Sequence, residues 1–230
     1  MNCPKCNCPE SVKSGKIKER QRYKCKDCGC NYTVELKSTA KPESQKKQAL
    51  HLYPEGLGFR STGRILGVGN VSVLNWIRDF GKKVRELNSD SQQIEMVEVD
   101  EMHSCVGSKK YCWIWIAVDR YGKRFINFVI GNRGNETAEK FREKIKQHEM
   151  NYIAGDYWKP YESIIPKEKH MQSKKETFTV EGYNSLFRHF LARMGRKSKC
   201  YSKKMEMLAI SILLLMHYRN GTLYLISNTK

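Results

Sequence analysis

The sequence predicts a multidomain chain that ends in an α/β domain built around a mixed sheet, and three observations support this prediction. Two CxxC pairs stand near the N-terminus. Short amphipathic segments separated by Gly and Pro follow them. The second half then contains alternating strands interleaved with helical segments. With 230 residues, of which 40% are hydrophobic, the chain can build packed cores in more than one domain.

The four cysteines of the two CxxC pairs predict a structural zinc site. Eighteen residues separate the pairs, a spacing typical of four-cysteine zinc sites. Residues 21–24 and 31–36 are predicted strands on either side of the second pair, so residues 1–36 are expected to form a zinc ribbon. A redox CxxC is the alternative, but the βαβ context that it needs is absent. The expected ligands are Cys3, Cys6, Cys25 and Cys28, and Cys8 and Cys30 could replace one of them.

Residues 44–88 predict a helix-turn-helix DNA-binding domain. A polar linker, residues 38–43, precedes three short helices, which are expected from Gln45 onward, over residues 59–66 and over residues 71–80. A Gly-containing turn joins the last two helices, and Ile65 and Val71 are expected to face the core. The alternative is a plain three-helix linker bundle. If the third helix reads DNA, its outward positions are Asn70, Ser72, Asn75 and Arg78.

The charge of the chain is strongly positive and unevenly distributed. Lys and Arg outnumber Asp and Glu by 42 to 24, a net charge of +18. Residues 1–47 carry +7 and residues 161–230 carry +8, whereas residues 89–160 are neutral and hold 11 carboxylates. Basic segments of this kind favour a polyanionic partner, nucleic acid or an anionic membrane surface. A basic protein without such a partner is the alternative.

The sequence also predicts a cytoplasmic protein without a membrane partner. The longest apolar run near the C-terminus, residues 207–216, has ten residues, and a membrane-spanning helix needs about 20. The first residues contain no apolar signal core. Because intracellular thiols stay reduced, the nine cysteines are expected to be metal ligands or core residues.

The carboxylates of the second half predict a divalent-metal site. Residues 94–102 alternate, so that Glu98 and Asp100 share one face of a strand. Strands 111–118 and 124–130, helix 136–149 and strand 151–154 follow, and Asp156 comes directly after the last strand. Thr179 is the expected N-cap of a helix that carries Glu181. If the first and fourth strands are neighbours, Asp100 and Asp156 converge, with Glu181 approaching from the helix.

Three oxygen ligands of this kind favour Mg²⁺ or Mn²⁺, and two such ions can act on a phosphodiester. Any single acidic residue of this half can also be explained without a metal. Asp119 is expected in a turn, and Glu98 and Glu101 are expected to be solvated. A lone His170 is expected in a surface loop. The basic run after Glu181 predicts a phosphate-binding track, or alternatively a solubilising helix face, that includes Arg188, Arg193, Arg196, Lys197, Lys199, Lys203 and Lys204.

The chain resembles the transposases of the insertion-sequence-one family of prokaryotic mobile elements, over nearly its whole length. The blocks that carry the resemblance are QRYKCKDC at 21–28, FRSTGRILGVG at 59–69, EVDE at 98–101, GDYW at 155–158 with YE at 161–162, VEGYN at 180–184, LARMGRKS at 191–198 and SK at 202–203. The resemblance implies an RNase H-like catalytic domain over residues 94–230. The family's acidic triad falls on Asp100, Asp156 and Glu181, and a family histidine falls on His170. One departure is Gly182, where the family usually has Arg.

The function that follows is a DDE-type transposase that binds the ends of a mobile element and catalyses metal-dependent DNA cleavage and strand transfer. Its partners would be double-stranded DNA, as element ends and target, and further copies of itself, and it would be associated with the nucleoid. Asn184, Arg188, Arg193, Arg196 and Lys197 are the expected DNA contacts around the triad. The alternative is a zinc-dependent DNA-binding regulator whose C-terminal half only dimerises. A recombinase with a Tyr or Ser nucleophile would need a cluster of arginines that the sequence does not display.

Overall fold

The computed structural model describes residues 2–33, 40–84, 87, 93–107, 110–195 and 200–223. The chain divides into two compact units, Met1–Pro42 and Glu43–Lys230. The predicted domains 44–88 and 94–230 therefore both lie within the second unit.

The first unit is a three-stranded antiparallel sheet in the order β1-β2-β3. Its strands are β1 (Ser11–Ile17), β2 (Arg20–Cys25) and β3 (Asn31–Thr33). The sequence predicts the last two but not β1, and the predicted extension over residues 34–36 lies outside the described residues. Its apolar core is small: Cys3, Cys25 and Tyr32 are its buried residues. Since so little apolar surface is buried, a bound metal ion would have to supply much of the folding free energy.

The second unit begins with three short helices, α1 (Glu43–Leu52), α2 (Phe59–Leu66) and α3 (Asn70–Gly81). These bounds agree with the predicted helices to within two residues. Gly67 ends α2 in the left-handed conformation, with φ of 63°, which glycine adopts without strain. The expectation that Ile65 and Val71 face the core is wrong, because they are 62% and 60% exposed. The buried face of the eight-residue α2 is occupied by Thr62 and Gly63 instead.

A five-stranded mixed sheet forms the centre of this unit, in the order β6-β5-β4-β7-β8. The strands β4, β5 and β6 pair antiparallel, whereas β4 with β7 and β7 with β8 pair parallel. The first and fourth predicted strands, β4 and β7, are therefore neighbours. The strand bounds are β4 (Ile94–Val106), β5 (Lys110–Asp119), β6 (Arg124–Gly131), β7 (Met150–Gly155) and β8 (His170–Gln172).

Helices cover both faces of the sheet. On one face, α4 (Asn135–Ile145) and α5 (Lys159–Ile164) pack in a core that includes Val97 and Trp115. On the other face, α6 (Phe178–Phe190) and α7 (Met205–Arg219) pack in a core that includes Ile114 and Ile116. Because alternate residues of a strand face opposite sides, one sheet serves both cores. None of the described helices is long and apolar enough to cross a membrane.

The three N-terminal helices of the unit share a third core with α7. This core contains Ala49 and Leu50 from α1, Val73 and Ile77 from α3, and Met207, Ile210 and Leu214 from α7. The Tyr53 hydroxyl group lies 2.7 Å from Ser211 Oγ, a buried hydrogen bond between the two ends of the unit. Helices α3 and α7 approach so closely that a Cβ atom on Gly81 would lie 2.3 Å from Ile210 Cγ2.

Candidate functional site

The four predicted zinc ligands converge in the first unit. Their Sγ atoms all lie within 4.8 Å of one another. The distance from Cys3 to Cys28 is 3.6 Å, and that from Cys6 to Cys25 is 3.5 Å. A tetrahedral zinc ion with Zn–S bonds of about 2.3 Å has sulfur–sulfur edges of about 3.8 Å. The donor set and its spacing therefore fit a closed structural zinc site.

The parallel pairing of β4 and β7 places Asp100 and Asp156 at matching positions. Glu98 is in register with Ala154, and the two aspartates each stand two residues further along. Asp156 follows the last residue of β7, and its Oδ1 accepts a hydrogen bond of 3.1 Å from the Trp158 backbone N–H. The two acids thus lie at adjacent positions where β7 ends, although β4 continues beyond Asp100 to Val106.

Asp100 lies on the face of β4 that α6 covers. Asn184 Nδ2, on α6, donates a hydrogen bond of 2.6 Å to Asp100 Oδ2. The pKa of Asp100 is raised from 3.8 to about 7, first by burial and then by the charges of Glu101, Asp156 and Glu181. Burial and the surrounding negative charges thus both favour the protonated form of this carboxyl group.

Glu181 lies in the first turn of α6, on its exposed side. Its charge contributes to the raised pKa of Asp100, so Glu181 lies near that residue. Among the described residues, only the four cysteines form a group of three or more ligands that already converge on one point. The carboxylates gather around Asp100 without closing on a single ion position. An all-oxygen donor set suits Mg²⁺ or Mn²⁺, and a cation there would offset the repulsion that raises the pKa of Asp100.

The expectation that Glu98 and Glu101 are solvated is wrong. Glu98 is fully buried and accepts a hydrogen bond from Arg120 Nε at 2.5 Å. Glu101 accepts hydrogen bonds from Arg133 Nε at 2.8 Å and from the Tyr161 hydroxyl group at 2.7 Å. Burial, followed by the nearby charge of Glu101, raises the pKa of Tyr161 well above its usual value.

The sequence did not identify Arg120, Arg133 and Tyr161 as parts of the site. Their partners lie 22, 32 and 60 residues away along the chain, so spacing carries no signal for these contacts. Asp119, in contrast, is the turn residue that the sequence predicts, because its Oδ1 accepts a hydrogen bond of 2.9 Å from the Gly122 backbone N–H.

His170 is not in a surface loop, because it is the first residue of β8 and pairs with Ile153 of β7. Its Nε2 atom is buried and has no hydrogen-bond partner among the described residues. A Cβ atom on Gly155 would lie 3.7 Å from Nε2, so the imidazole ring is beside the residue that precedes Asp156. Burial lowers the pKa of His170, and the charge of Glu162 opposes this effect. The neutral form of the ring is therefore favoured. The ring lies on the face of the sheet that carries Val99 and Tyr161, whereas Asp100 lies on the opposite face.

The predicted DNA contacts are distributed over several places. On α3, Asn70 and Asn75 are exposed, Ser72 and Arg78 are half-buried, and Arg78 Nη1 donates a hydrogen bond of 3.4 Å to Asn75 Oδ1. Asn184 is buried against Asp100, as described above. Arg188 is half-buried in α6.

Arg193 has partners within the second unit. Its guanidinium group donates a hydrogen bond of 2.9 Å to Ser202 Oγ and lies 4.8 Å from the ring centroid of Phe59. Lys203 lies 4.2 Å from the ring centroid of Tyr201, whereas Lys204 stands just before α7. Arg196, Lys197 and Lys199 lie outside the described residues.

Comparisons with known proteins identify the family. The family model described as IS1 transposase matches residues 93–220. An insertion element IS1 protein InsB from Escherichia coli K12 is 34% identical over 118 residues, which cover 51% of this chain and 71% of the relative. An IS1 InsB protein from Shigella flexneri is 34% identical over 115 residues, which cover 50% of this chain and 88% of the relative. An iso-IS1n InsB protein from Shigella dysenteriae is 30% identical over 110 residues, which cover 47% of this chain and 84% of the relative. The chain belongs to the IS1 transposase family.

Proposed function

We propose that the protein is a DDE-type, metal-dependent DNA transposase whose acidic triad is Asp100, Asp156 and Glu181. The environment of Asp100 carries this proposal. Its carboxyl group is half-buried, and burial, followed by the charges of three nearby carboxylates, raises its pKa to about 7. Glu101 is paired with Arg133, but among the described residues no Lys or Arg forms an ion pair with the triad. A divalent cation bound by these oxygens would remove the repulsion.

The proposal includes an RNase H-like catalytic domain within residues 94–230. The mixed five-stranded sheet with helices on both faces supports it. So does the matching position of Asp100 and Asp156 on parallel neighbouring strands. Because strands are rigid elements, they would hold the two carboxylates at a fixed separation, which metal-ion catalysis requires.

Each residue of the site has a specific part in the proposed chemistry. Bound Mg²⁺ or Mn²⁺ would activate the attacking oxygen and stabilise the leaving oxygen at a phosphodiester. Asp100 and Asp156 would hold the cation from adjacent strands, and Glu181 would do so from α6. Asn184 would keep the Asp100 carboxylate oriented through its hydrogen bond. His170, whose Nε2 atom has no hydrogen-bond partner among the described residues, would hydrogen-bond the scissile phosphate or an attacking water.

The same proposal assigns DNA binding to the basic parts of the chain. Helices α2 and α3 would act as a helix-turn-helix pair that reads the element ends through Asn70, Ser72, Asn75 and Arg78. The zinc ribbon would support this binding, and the basic run from Arg188 to Lys204 would contact phosphates. Two DNA ends must be brought together in transposition, so a homo-oligomer is part of the proposal by analogy.

A cleavage and strand-transfer assay with Asp156→Asn tests the proposal. The variant should bind end DNA as the wild type does, yet neither nick nor join it in Mg²⁺. Glu149→Gln is the matched control, because it also removes one negative charge and Glu149 is an exposed residue just before β7. Both variants change the net charge equally, so a difference between them cannot arise from overall electrostatic attraction to DNA.

The alternative function, a DNA-binding regulator with a non-catalytic dimerisation domain, predicts a different result. On that account the wild-type protein has no nuclease activity, and Asp156→Asn leaves every activity of the protein intact. A phosphotyrosyl or phosphoseryl adduct trapped on a nicked substrate would refute the metal-dependent mechanism, since its nucleophile is water or a DNA 3′-OH.

A further inference from the structure

The buried carboxylate of Glu98, on β4, caps the N-terminus of α6, although the two residues involved are 82 positions apart in sequence. Glu98 is 0% exposed, and its Oε2 accepts a hydrogen bond of 2.8 Å from the Val180 backbone N–H. Val180 is the third residue of α6, and the first N–H groups of a helix have no partner within the helix. The side chain of the cap residue Thr177 accepts no hydrogen bond from the first N–H groups of α6 and donates instead to the Lys174 carbonyl at 3.1 Å. A carboxylate at this position is also attracted by the partial positive charge of the helix N-terminus.

Arg120 connects this cap to the segment that precedes the helix. Its Nε donates to Glu98 Oε1 at 2.5 Å, and its Nη1 donates to Glu176 Oε2 at 2.7 Å. Its Nη2 donates to the Glu176 backbone carbonyl at 2.5 Å, and its guanidinium group lies 4.9 Å from the ring centroid of Phe178. The Arg120 side chain is 11% exposed. One guanidinium group thus fixes the 3₁₀ turn Lys174–Thr177 and the first residue of α6.

A second contact lies one helical turn further along α6. Asn184 donates to Asp100, and Val180 donates to Glu98. Glu98 and Asp100 are alternate residues on one face of β4, whereas Val180 and Asn184 are four residues apart on α6. The helix is therefore attached to the strand at two points, and Glu181 lies in the turn between them.

We propose that Glu98 is a positioning residue that sets the location of Glu181 relative to Asp100. This inference rests on the proposed function, because it assigns a purpose to the separation of two triad residues. A buried ion pair is weak evidence for stability, since desolvation offsets the attraction between the charges. It does, however, specify one geometry. The pair between Glu98 and Arg120 would select the helix position at which the carboxylates can share a cation.

The test measures Mn²⁺ binding by calorimetry on the full-length, zinc-loaded protein, without DNA. Glu98→Ala removes the acceptor for both Val180 and Arg120, and we expect it to weaken Mn²⁺ binding by about 10- to 100-fold, the usual range for residues that orient metal ligands. Glu98→Gln keeps an oxygen that can accept from the Val180 N–H but turns an amide N–H group toward Arg120, so it should restore only part of the affinity. The Mg²⁺ concentration for half-maximal nicking should rise in parallel, while affinity for end DNA stays unchanged.

Two further variants keep the inference open to refutation. Glu95→Ala is the matched control, because Glu95 is an exposed glutamate three residues earlier on the same strand. Glu176→Gln weakens the ion pair between Glu176 and Arg120, in which the Glu176 side chain is partly exposed. This variant replaces Glu98→Ala in the test if Glu98→Ala does not fold. We expect Glu176→Gln to weaken Mn²⁺ binding and Glu95→Ala to leave it unchanged.

The outcomes separate the inference from the proposed function. If the wild type binds Mn²⁺ and Asp156→Asn abolishes binding, the metal site stands. If folded Glu98→Ala then binds Mn²⁺ with wild-type affinity, only the positioning inference is overturned. If Glu98→Ala does not fold, wild-type Mn²⁺ affinity in Glu176→Gln has the same meaning. If the wild-type protein binds no Mn²⁺, both the proposed function and the inference fail.

Discussion

The raised pKa of Asp100 predicts that the acidic site destabilises the metal-free protein. The relevant substitution is Asp100→Asn, which removes the charge and keeps an oxygen that can accept from Asn184. A pKa of about 7 in the folded state, against an ordinary value of 3.8, means that the folded protein binds this proton more tightly than the unfolded chain does. The free energy of unfolding of the wild type therefore contains a favourable contribution from the protonated Asp100. This contribution is fully present below about pH 4 and is lost as the pH rises through about 7.

The size of the effect follows from the same two pKa values. A difference of about three pH units corresponds to about 4 kcal/mol at alkaline pH, an upper bound because the protein can relax around the charge. At about pH 5 less than half of this cost is present, so the advantage of Asp100→Asn over the wild type should grow by about 2 to 3 kcal/mol between about pH 5 and about pH 8.

Urea unfolding followed by tryptophan fluorescence measures this difference. All four tryptophans, Trp76, Trp113, Trp115 and Trp158, lie in the unit Glu43–Lys230, so the signal reports that unit and not the cysteine-rich module. The buffers should be freed of divalent ions on a resin rather than with a soluble chelator, which would also remove zinc. Glu149→Gln is again the charge-matched control.

Adding Mg²⁺ extends the experiment. An ion that binds only the folded wild type raises its stability by mass action, so the gap to Asp100→Asn should narrow as the Mg²⁺ concentration rises. An Asp100→Asn protein that is less stable than the wild type at about pH 8 would refute the reasoning, as would an advantage of equal size at both pH values.

Two further predictions concern other parts of the chain. Cys28→Ser should lower the zinc content, measured by atomic absorption, below one ion per chain, and circular dichroism should show that the first unit unfolds. The urea transition followed by tryptophan fluorescence should not move. An unaltered zinc content would exclude Cys28 as a ligand. Gly182→Ala should stabilise the second unit in the same urea assay by about 0.5 to 1 kcal/mol, because glycine is unfavourable inside a helix and an added Cβ on Gly182 meets nothing within 4 Å. A loss of stability in Gly182→Ala would show that α6 is constrained in a way these contacts do not reveal.

The sequence predicts best the features that depend on local periodicity. The alternation around Glu98 and Asp100 places them on one face of a strand, and the structure agrees. The spacing of the cysteines also predicts their convergence. Both signals arise within short stretches, where the geometry of a strand or a knuckle is set by neighbouring residues.

The features that the sequence does not predict depend on distant partners or lack periodicity. Helix α7 is buried around most of its circumference, so no polar face marks it as a helix. Strand β8 has three residues, too few for alternation to be visible. Thr179 is the expected N-cap of α6, but the helix begins at Phe178 and the cap comes from Glu98, 82 residues before Val180. A capping side chain that comes from a strand remote in sequence cannot be predicted from the residues next to the helix.

The core that α1 and α3 share with α7 has a consequence for how this unit can be divided. Leu50, Ile77 and Leu214 belong to one apolar cluster, and Tyr53 and Ser211 close it with a buried hydrogen bond. A fragment cut between the helical segment and the sheet would expose an apolar surface on both pieces, and such surfaces promote aggregation. The three helices are therefore not an independent module joined to the sheet by a flexible linker. They are part of the same compact unit, and α7 contributes Met207, Ile210 and Leu214 to their apolar core.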